Sequence, residues 1–422
     1  MSIQHDHTVT RNGNRRKNSR KAKRLRTRKR IRRILIVLAC LLILVFVFFL
    51  FCGESNFIRK IRSREFLSRV PNVILMGEPK VVMSNPNSKL NYFGWPSICR
   101  LQNDTIAVVA SGYRTEHIDP LGQCVISYSY NEGKSYTAPA PILDTVLDDR
   151  DSGILAYGEN NVIVTTFNNT VAFQRGNSAN PFYNSYLDMI TPSEEAEALG
   201  SLYSISNDGG ITFGEIRKSP ITSPHGPCEL SDGTLLWVGT LFESKEGEPS
   251  TQAYTIAQDG SMTKIGEIQD VPDYACHEPY AIEAEDGTII CHIRVQPNPN
   301  SPSPKFTIYQ SESTDSGKTW TTPHQILEDT GGAPSHILKH SSGVLIATYG
   351  VRHELNAIKA MFSYDNGKTW MTDYLIYDNN GVSSDIGYPA SIELNDGSLL
   401  TVFYAHPTAE SSAVIMQQKW RF

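Results

Sequence analysis

The sequence predicts an all-β chain, a six-bladed β-propeller preceded by one transmembrane helix. Three observations support this fold class. A short hairpin pattern recurs six times at an interval near 55 residues, a second turn motif lies between the hairpins, and an apolar run of 19 residues follows a basic N-terminal tail. The 422 residues can form one large domain, because propellers often use such a length for a single unit.

The hairpin pattern is an apolar strand, a polar turn of the Asp-Gly kind and a second apolar strand. The turn residues are spaced by 56, 72, 54, 56 and 54 residues. This period, with several short strands per unit, is typical of propellers, whose units stack to bury both faces. We therefore expect six blades over residues 75–422. The turn residues are Asp104, Asn160, Asp232, Asp286, Ser342 and Asp396.

One interval exceeds the others by about 16 residues. Residues 175–200 lie in this interval and lose the apolar–polar alternation that marks a strand. The sequence therefore predicts an insertion between the second and third hairpins.

The N-terminal 52 residues predict a membrane anchor. Residues 1–33 hold 14 of the 39 cationic residues and the single acid Asp6, and residues 34–52 carry no charge. A helix of that length, at about 1.5 Å per residue, spans the hydrocarbon core of a bilayer. The run ends in bulky residues, so we expect an uncleaved signal anchor with a cytoplasmic tail, and a single-pass type II protein exposed outside the cytoplasm. Residues 53–74 would form a stalk or linker.

The charge distribution argues against a nucleic-acid-binding domain. After residue 52, 25 cationic residues stand against 43 acidic ones, a net charge of about −18. The basic tail alone could bind phosphate backbones. Its position beside the apolar run favours a role in topology or in contact with anionic lipids.

The cysteines and histidines predict neither a metal site nor a cofactor. The five cysteines after the anchor lack metal or redox spacing, and an odd number cannot all pair, so we expect buried thiols. The histidines 117, 225, 277 and 336 fall in four different units without metal-site spacing, which favours hydrogen-bonding roles. The cysteines are Cys99, Cys124, Cys228, Cys276 and Cys291.

A second motif, S-x-D-x-G-x-T-W, lies between the hairpins. Residues 313–320 and 363–370 match it fully, 206–213 have Phe in place of Trp, and 129–136 are degenerate. The Ser and Asp side chains can bond backbone groups in a tight turn, and glycine takes the positive φ angle. The motif resembles the Asp-box, or bacterial neuraminidase repeat, of sialidases, over roughly residues 75–422. Because Asp-boxes also occur in other propellers, the resemblance implies the fold more strongly than the chemistry.

Residues at a common offset from the hairpin turns are expected to meet at the propeller axis. Glu278 and Tyr388 each lie eight residues before their turn residue. Arg294 lies eight residues after its turn, and Arg114 and Arg352 lie ten after theirs. The three arginines share strand parity, so they can face one side together with the tyrosine and the glutamate.

The resemblance to sialidases implies roles for these residues. The segments around Glu278 and Tyr388 resemble those that bear the assisting glutamate and the nucleophile, and residues 114–119 resemble the arginine–aspartate loop of the first blade. Tyr388 would then attack, Glu278 would take its proton, and Asp119 would act as general acid/base. A neutral tyrosine suits a substrate whose own carboxylate would repel a carboxylate nucleophile.

The resemblance also implies a cluster of substrate-binding residues, mainly arginines, whose planar fork matches a carboxylate. At one position the chain departs from sialidases, because Gly94 stands where the first clamp arginine is usual. Either Arg150 supplies the missing cation, or the site binds a different acid sugar, or the protein is not a hydrolase. The predicted substrate-binding residues are Arg294, Arg352, Arg114, Arg150, Asp151 and His277.

The resemblance therefore implies an exo-acting retaining glycosidase that removes terminal sialic acid or a related acidic sugar from glycoconjugates. Two alternatives stay open: a non-catalytic glycan-binding propeller, and a hydrolase of the same fold that acts on a different sugar. Gly94 bears on the first alternative, because a weakened clamp costs transition-state binding more than loose recognition.

Overall fold

The six predicted hairpins are the inner strands of six antiparallel β-sheets of four or five strands each. The computed structural model describes residues 70–178, 180–243, 247–299, 301–353 and 355–422. Residues Pro71–Phe422 form one compact unit. The predicted six-bladed propeller is confirmed.

The strands of the first three blades run outward from the axis in chain order. Blade 1 contains β3 (Tyr92–Arg100), β4 (Ile106–Arg114), β5 (Gln123–Ser129) and β6 (Ala140–Leu143). Blade 2 contains β7 (Arg150–Tyr157), β8 (Asn161–Phe167), β9 (Ser201–Ser206) and β10 (Arg217–Ser219). Blade 3 has a divided inner strand, β11 (Ile221–Thr222) and β12 (Cys228–Glu229), followed by β13 (Leu235–Leu241), β14 (Thr251–Ile256) and β15 (Met262–Ile268).

Blades 4 and 5 repeat the same order. Blade 4 contains β16 (Tyr274–Glu283), β17 (Ile289–Pro297), β18 (Thr307–Ser313) and β19 (His324–Gln325). Blade 5 contains β20 (Ser335–Lys339), β21 (Leu345–Val351), β22 (Ala357–Ser363) and β23 (Met371–Asp378).

Blade 6 joins the two ends of the propeller. Its strands β24 (Gly387–Glu393), β25 (Leu399–Ala405) and β26 (Val414–Arg421) come from the C-terminal part of the chain. The outer positions beside β26 are filled by β1 (Ile74–Leu75) and β2 (Lys80–Met83). The first strand of this sheet, β1, therefore starts at Ile74, within the segment predicted as a stalk. The pairing of β1 and β2 with β26 closes the ring through noncovalent contacts.

The hydrophobic core is divided among the interfaces between neighbouring blades. One cluster packs blade 6 against blade 1, around Tyr92, Ile98 and Val402. The other five clusters fill the five remaining interfaces in the same way. The five cysteines are buried as free thiols, as predicted. Each blade thus depends on both neighbours to bury its apolar faces.

The Asp-box turns follow the third strand of four blades and have the predicted hydrogen bonds. The Asp315 carboxylate accepts from the Thr319 amide at 2.9 Å and from its hydroxyl at 2.7 Å, while Ser313 Oγ accepts from the Gly317 amide at 3.0 Å. Gly317 has a φ of +85°. The Trp320 indole packs against the interface of blades 3 and 4.

The predicted insertion lies between β8 and β9 of blade 2. It contains three short helices, α1 (Val171–Asn177), α2 (Phe182–Leu187) and α3 (Pro192–Ala198). Thr191 and Glu194 form a capping box at the start of α3.

The predicted cytoplasmic tail, residues 1–33, and the anchor, residues 34–52, lie outside the described residues. Within the described part of the chain, the model has no helix with the length and apolar character needed to cross a bilayer.

Candidate active site

Four inner strands carry the same irregularity near the axis. The pairing of each inner strand with its neighbour shifts register immediately around Trp95, Asp151, Glu278 and Tyr388. All four residues have a positive φ, at 53°, 49°, 50° and 50°. This conformation is unfavourable for bulky side chains, and such strain concentrates at functional sites. The four bulges therefore mark one candidate site, contributed by blades 1, 2, 4 and 6.

Tyr388 and Glu278 form the centre of this site. The Tyr388 hydroxyl donates to Glu278 Oε1 at 2.5 Å, and Arg294 Nη1 lies 2.7 Å from Glu278 Oε2 and 3.4 Å from the Tyr388 oxygen. The tyrosine is only 4% exposed. The structure thus brings together three of the five residues that the hairpin offsets had singled out.

The charge states of this pair suit a protonated tyrosine beside an ionised carboxylate. Burial, and then the charges of Glu278 and Asp151, raise the pKa of Tyr388 well above its ordinary value. Burial opposes ionisation of Glu278, but the charge of Arg294 and the hydrogen bonds from Tyr388 and Arg294 outweigh it and lower its pKa. Glu278 is therefore available as a proton acceptor for Tyr388.

Arg352 also reaches this centre, as predicted from its offset. Its guanidinium carbon lies 5.6 Å from the centroid of the Tyr388 ring. Three of its N–H groups donate, to Ile386 O at 2.8 Å, Gly332 O at 2.9 Å and the Tyr404 hydroxyl at 2.8 Å. These bonds fix the plane of the guanidinium, and the remaining two N–H groups have no partner among the described residues.

Asp151 is the bulge residue of blade 2 and carries a buried carboxyl group. It is 5% exposed, and its Oδ1 atom has no hydrogen-bond partner in the described structure. Burial raises the pKa of Asp151 to about 7, with a further increase from the charge of Glu278, although Arg150 and Arg294 act in the opposite direction. Nε of Arg294 is likewise buried and unpartnered. The site thus contains polar atoms that its own side chains do not satisfy.

Arg114 lies beside Trp95, with its guanidinium carbon 4.9 Å from the ring centroid, but its donors are used within the protein. The residue is fully buried, and all five N–H groups have acceptors within the protein. The contacts are to Asp148 Oδ1 at 2.5 Å, Asp148 Oδ2 at 2.9 Å, Ser111 Oγ at 2.7 Å, His117 O at 2.8 Å and Glu116 O at 3.4 Å. Arg114 therefore has no free donor for a ligand, and its geometry fits a structural ion pair with Asp148.

Asp119 is also fully buried. Its Oδ2 accepts from the Thr115 amide at 2.6 Å, the Thr115 hydroxyl at 2.9 Å and the Tyr183 hydroxyl at 2.6 Å. Its Oδ1 accepts from the Leu121 amide at 2.9 Å. Tyr183 belongs to α2, so the insertion of blade 2 covers this carboxylate. The carboxylate thus has four internal donors and no exposed surface, so a ligand has no contact with it in this conformation, and the general acid/base role that the resemblance implies stays a prediction.

The space beside Gly94 is filled by aromatic residues. A Cβ atom at Gly94 would lie 3.4 Å from Tyr92 Cε1 and 3.9 Å from Tyr404 Cδ2. The hydroxyls of Tyr92 and Tyr404 both donate to the Asp385 carboxylate, at 2.7 Å and 3.0 Å. An anionic hydrogen-bonded cluster thus stands at the position where sialidases usually have an arginine.

Arg150 and the predicted histidines lie around this centre. The Arg150 guanidinium stacks over the Trp95 ring at 4.1 Å and donates to His117 O at 3.0 Å. His277 is the cross-strand partner of Arg294. His225 and His336 pack edge to face at 5.1 Å, with His336 stacked on Tyr280. Among the described residues, no group of three or more His, Cys, Asp and Glu side chains has an arrangement suited to a metal ion.

Sequence reasoning missed Trp95, Tyr92, Tyr404 and Asp385. One available signal was proximity along the chain, since Asp385 lies three residues before Tyr388. Trp95 carried no such signal, because it lies nine residues before its turn residue whereas Glu278 and Tyr388 lie eight before theirs.

A large cavity lies outside this cluster. It measures about 1080 Å³ and lies between blade 1 and the insertion, beside Leu121, Thr145 and Tyr186. Its lining includes none of the four bulge residues. We assign the candidate site to the axial cluster, because chemistry depends on the placement of reactive groups more than on the size of a cavity.

Comparisons with known proteins support the fold. The family model described as a BNR repeat-like domain matches residues 182–401. A protein of unknown function from Dyadobacter fermentans is 18% identical, with a TM-score of 0.67 over 84% of this chain and 100% of that one. The intramolecular trans-sialidase from Ruminococcus gnavus is 13% identical, with a TM-score of 0.58 over 83% of this chain and 97% of that one.

A sialidase from Trypanosoma rangeli is 15% identical, with a TM-score of 0.54 over 83% of this chain and 60% of that one. No curated protein sequence matches the chain significantly. At these identities the solved structures establish the fold alone, whereas the family model covers more than half of the chain. The chain belongs to the family of BNR repeat-like domains, and its fold is the six-bladed β-propeller described above.

Proposed function

We propose that this protein is a retaining exo-glycosidase of the sialidase type, with Tyr388 as its nucleophile. The observation that carries the proposal is the 2.5 Å hydrogen bond between Tyr388 and Glu278, with Arg294 in contact with both. A tyrosine becomes a nucleophile only when a base removes its proton, and an ionised carboxylate in direct contact is such a base. The strained backbone at both residues supports a catalytic role.

The reaction would proceed in two displacements. The Tyr388 oxygen forms a bond to the anomeric carbon while the glycosidic bond breaks, Glu278 takes the phenolic proton, and the leaving oxygen receives a proton from an acid. Water then attacks the same carbon and gives a proton to the conjugate base of that acid, the tyrosine–sugar bond breaks, and Glu278 returns the phenolic proton to Tyr388. Two inversions leave the configuration of the sugar unchanged.

The substrate we propose is a terminal sialic acid or a related acidic sugar on a glycoconjugate. Arg294 and Arg352 both lie beside Tyr388, and both have N–H groups without partners among the described residues. A planar guanidinium binds a carboxylate through two parallel hydrogen bonds. Several similar solved structures are of sialidases and trans-sialidases, including one in complex with sialic acid, which is consistent with this substrate class.

The test is turnover of 4-nitrophenyl α-sialoside by the full chain in detergent. We expect release of nitrophenol by the wild type and its loss in Tyr388→Phe, which keeps the ring but lacks the nucleophile. Thermal unfolding of both proteins provides the control for folding. A folded wild type that leaves the sialoside intact would overturn the sialic acid assignment, and equal activity in Tyr388→Phe would overturn the tyrosine nucleophile.

A non-catalytic glycan-binding propeller is the second candidate. The observation in its favour is Gly94, where the aromatic and acidic cluster of Tyr92, Tyr404 and Asp385 replaces a clamp arginine. A binding module would retain sialosides in equilibrium dialysis without cleaving them. A hydrolase that acts on another sugar would instead release nitrophenol from a different member of a panel of aryl glycosides.

We further propose that residues 34–52 anchor the protein in a membrane with the propeller outside the cytoplasm. The uncharged run beside 14 cationic residues supports this topology. In cells that express the full chain, we expect the protein to stay with the membrane fraction after carbonate extraction. The double variant Leu42→Arg/Val45→Arg should be released, because each charge disfavours insertion by about 2.5–3.5 kcal/mol. Release of the wild type would contradict the proposal.

A further inference from the structure

The proposed reaction requires a group that protonates the leaving oxygen, and Asp119 is poorly placed for it. Its carboxylate is fully buried and accepts four hydrogen bonds, one of them from the insertion. A general acid must come within hydrogen-bond distance of the departing oxygen. Asp119 could do so only if the contact with Tyr183 and those with Thr115 were broken.

We propose that Asp151 is the general acid/base of this site. This inference rests on the proposed glycosidase function and adds a residue that the motif comparison had assigned only to substrate binding. In the first displacement the Asp151 proton passes to the glycosidic oxygen as its bond to the anomeric carbon breaks. In the second, the Asp151 carboxylate takes a proton from the attacking water, which restores the acid.

The position of Asp151 in the fold is equivalent to those of Tyr388 and Glu278. Each residue occupies the bulge of an inner strand, with φ near +50°. The three strands belong to blades 2, 4 and 6, so successive blades of this set are about 120° apart around the axis of a six-bladed ring. Asp151 therefore approaches the Tyr388–Glu278 pair from the third side. The Trp95 ring connects the two sides of the site: its centroid lies 4.1 Å from the guanidinium carbon of Arg150, the residue before Asp151, and 6.5 Å from the centroid of the Tyr388 ring.

The hydrogen bonding of Asp151 leaves it available to a ligand. Its Oδ1 atom is buried without a partner among the described residues, whereas the Asp119 carboxylate has four donors. An unsatisfied buried carboxyl oxygen costs stability, so its presence in the site calls for a functional explanation. Contact with a glycosidic oxygen or a water molecule would supply the missing partner.

The protonation state of Asp151 agrees with this role. Because burial raises its pKa to about 7, the neutral acid is populated below that pH and is lost as the pH rises through it. After proton transfer the group is a carboxylate. Because its pKa lies near neutral pH, this carboxylate can accept a proton from the attacking water. A group whose pKa lies near the working pH can serve in both directions.

The experiment compares two leaving groups in the full-length protein. Nitrophenolate departs without a proton, whereas the alcohol of methyl α-sialoside needs one. We expect Asp151→Asn to lower kcat/KM on methyl α-sialoside by about 100- to 10,000-fold and on 4-nitrophenyl α-sialoside by less than about tenfold. Added azide should restore turnover of the aryl substrate with formation of glycosyl azide, because this anion needs no general base.

The Asp119→Asn variant is the matched comparison, and thermal unfolding checks the folding of both variants. The proposal is supported if only Asp151→Asn loses more kcat/KM on the methyl sialoside than on the aryl sialoside. It is also supported if the fall in wild-type activity as the pH rises through about 7 is absent from that variant. The role of Asp151 would be overturned if Asp119→Asn showed this difference between the two sialosides and a folded Asp151→Asn did not. That result would leave the proposed glycosidase function intact. A wild type inactive on both sialosides would overturn the proposed function and this inference together.

Discussion

At the scale of single residues, the site is defined by backbone strain as much as by side-chain chemistry. Tyr388 and Glu278 hold φ angles that bulky residues rarely adopt, and the bulges that impose these angles turn both side chains toward the axis. Such conformations cost of order 1–3 kcal/mol each, and the surrounding sheet must sustain them. The arrangement places a base and a nucleophile in contact before any substrate binds.

Glu278→Gln removes the proposed base while preserving the shape of the side chain. We expect kcat/KM on 4-nitrophenyl α-sialoside to fall by about 100- to 10,000-fold. On the acidic side of its pH profile, the wild type should lose activity as the pH falls through the lowered pKa of Glu278, because the carboxylate is the active form. A pH profile of both proteins checks this, and a variant as active as the wild type would contradict the assignment.

Gly94→Arg tests whether the missing clamp arginine can be restored. We expect a destabilisation of about 1–3 kcal/mol and no gain in sialoside turnover, because Tyr92 and Tyr404 fill the space around the Cβ position. Gly94→Ala serves as the control, since a methyl group at 3.4 Å makes a tight but tolerable contact. Urea unfolding measures the difference. Higher sialoside turnover by a stable Gly94→Arg variant would contradict this expectation, because it would show that the site can accommodate a carboxylate-binding arginine at this position.

At the scale of elements, the Asp-box turns hold the ends of the third and fourth strands together through side-chain hydrogen bonds. The Asp365 carboxylate accepts from the Thr369 amide at 2.9 Å, the Thr369 hydroxyl at 2.6 Å and the Ser363 hydroxyl at 2.8 Å. The copy at residues 129–136 has Asn131 instead, which still accepts from the Ser135 amide at 2.9 Å. The motif therefore depends on an acceptor oxygen more than on a charge.

Asp365→Ala should lower the free energy of unfolding by about 1 kcal/mol at pH 7. This is less than the roughly 1.5–3 kcal/mol that is usual for hydrogen bonds to a charged group, because the turn is partly exposed. Asp365→Asn should cost less, since it keeps one acceptor. Burial alone would raise the pKa of Asp365 in the folded state, but the hydrogen bonds from Thr369 and Ser363 outweigh it and lower this pKa.

The contribution of Asp365 to stability is therefore fully present above the pKa that Asp365 has in the unfolded chain. It is lost as the pH falls through the pKa that Asp365 has in the folded protein. Urea unfolding at pH 7 and pH 3 measures this. The account would be contradicted if the two variants lost the same free energy of unfolding, and if their difference from the wild type were as large at pH 3 as at pH 7.

At the scale of the whole molecule, the propeller is a ring closed by contacts between distant parts of the chain. The strand β2 packs on β26, and its residue Met83 is 1% exposed within the cluster between blades 6 and 1. The neighbouring Val81 faces outward and is 50% exposed. A regular strand would place Val81 and Met83 on the same face, but the pairing of β2 with β26 shifts register between them. This irregularity buries Met83 in the closing interface and leaves Val81 exposed.

Met83→Ala should lower the free energy of unfolding by about 2–5 kcal/mol, the usual range for truncation of a buried side chain. Val81→Ala, on the same strand, should change it by less than about 0.5 kcal/mol. Thermal and urea unfolding of the two variants test this. Equal effects would indicate that β2 does not close the ring in solution.

The number of blades, the turns and part of the candidate site could be predicted from the sequence alone. Turn spacing near 55 residues follows from the size of one blade, and a shared offset of eight linked Tyr388 with Glu278 because both inner strands have the same length between bulge and turn. These are local relations, which periodicity in a sequence preserves.

Only the tertiary structure decided the rest, because it depends on register and on contacts between distant residues. Arg114 and Arg352 have the same offset, yet Asp148 holds one in a buried pair while the other faces Tyr388. Tyr183 of the insertion covers Asp119. Asp151 reaches the site through a bulge one residue farther from its turn, a difference that no strand period reveals.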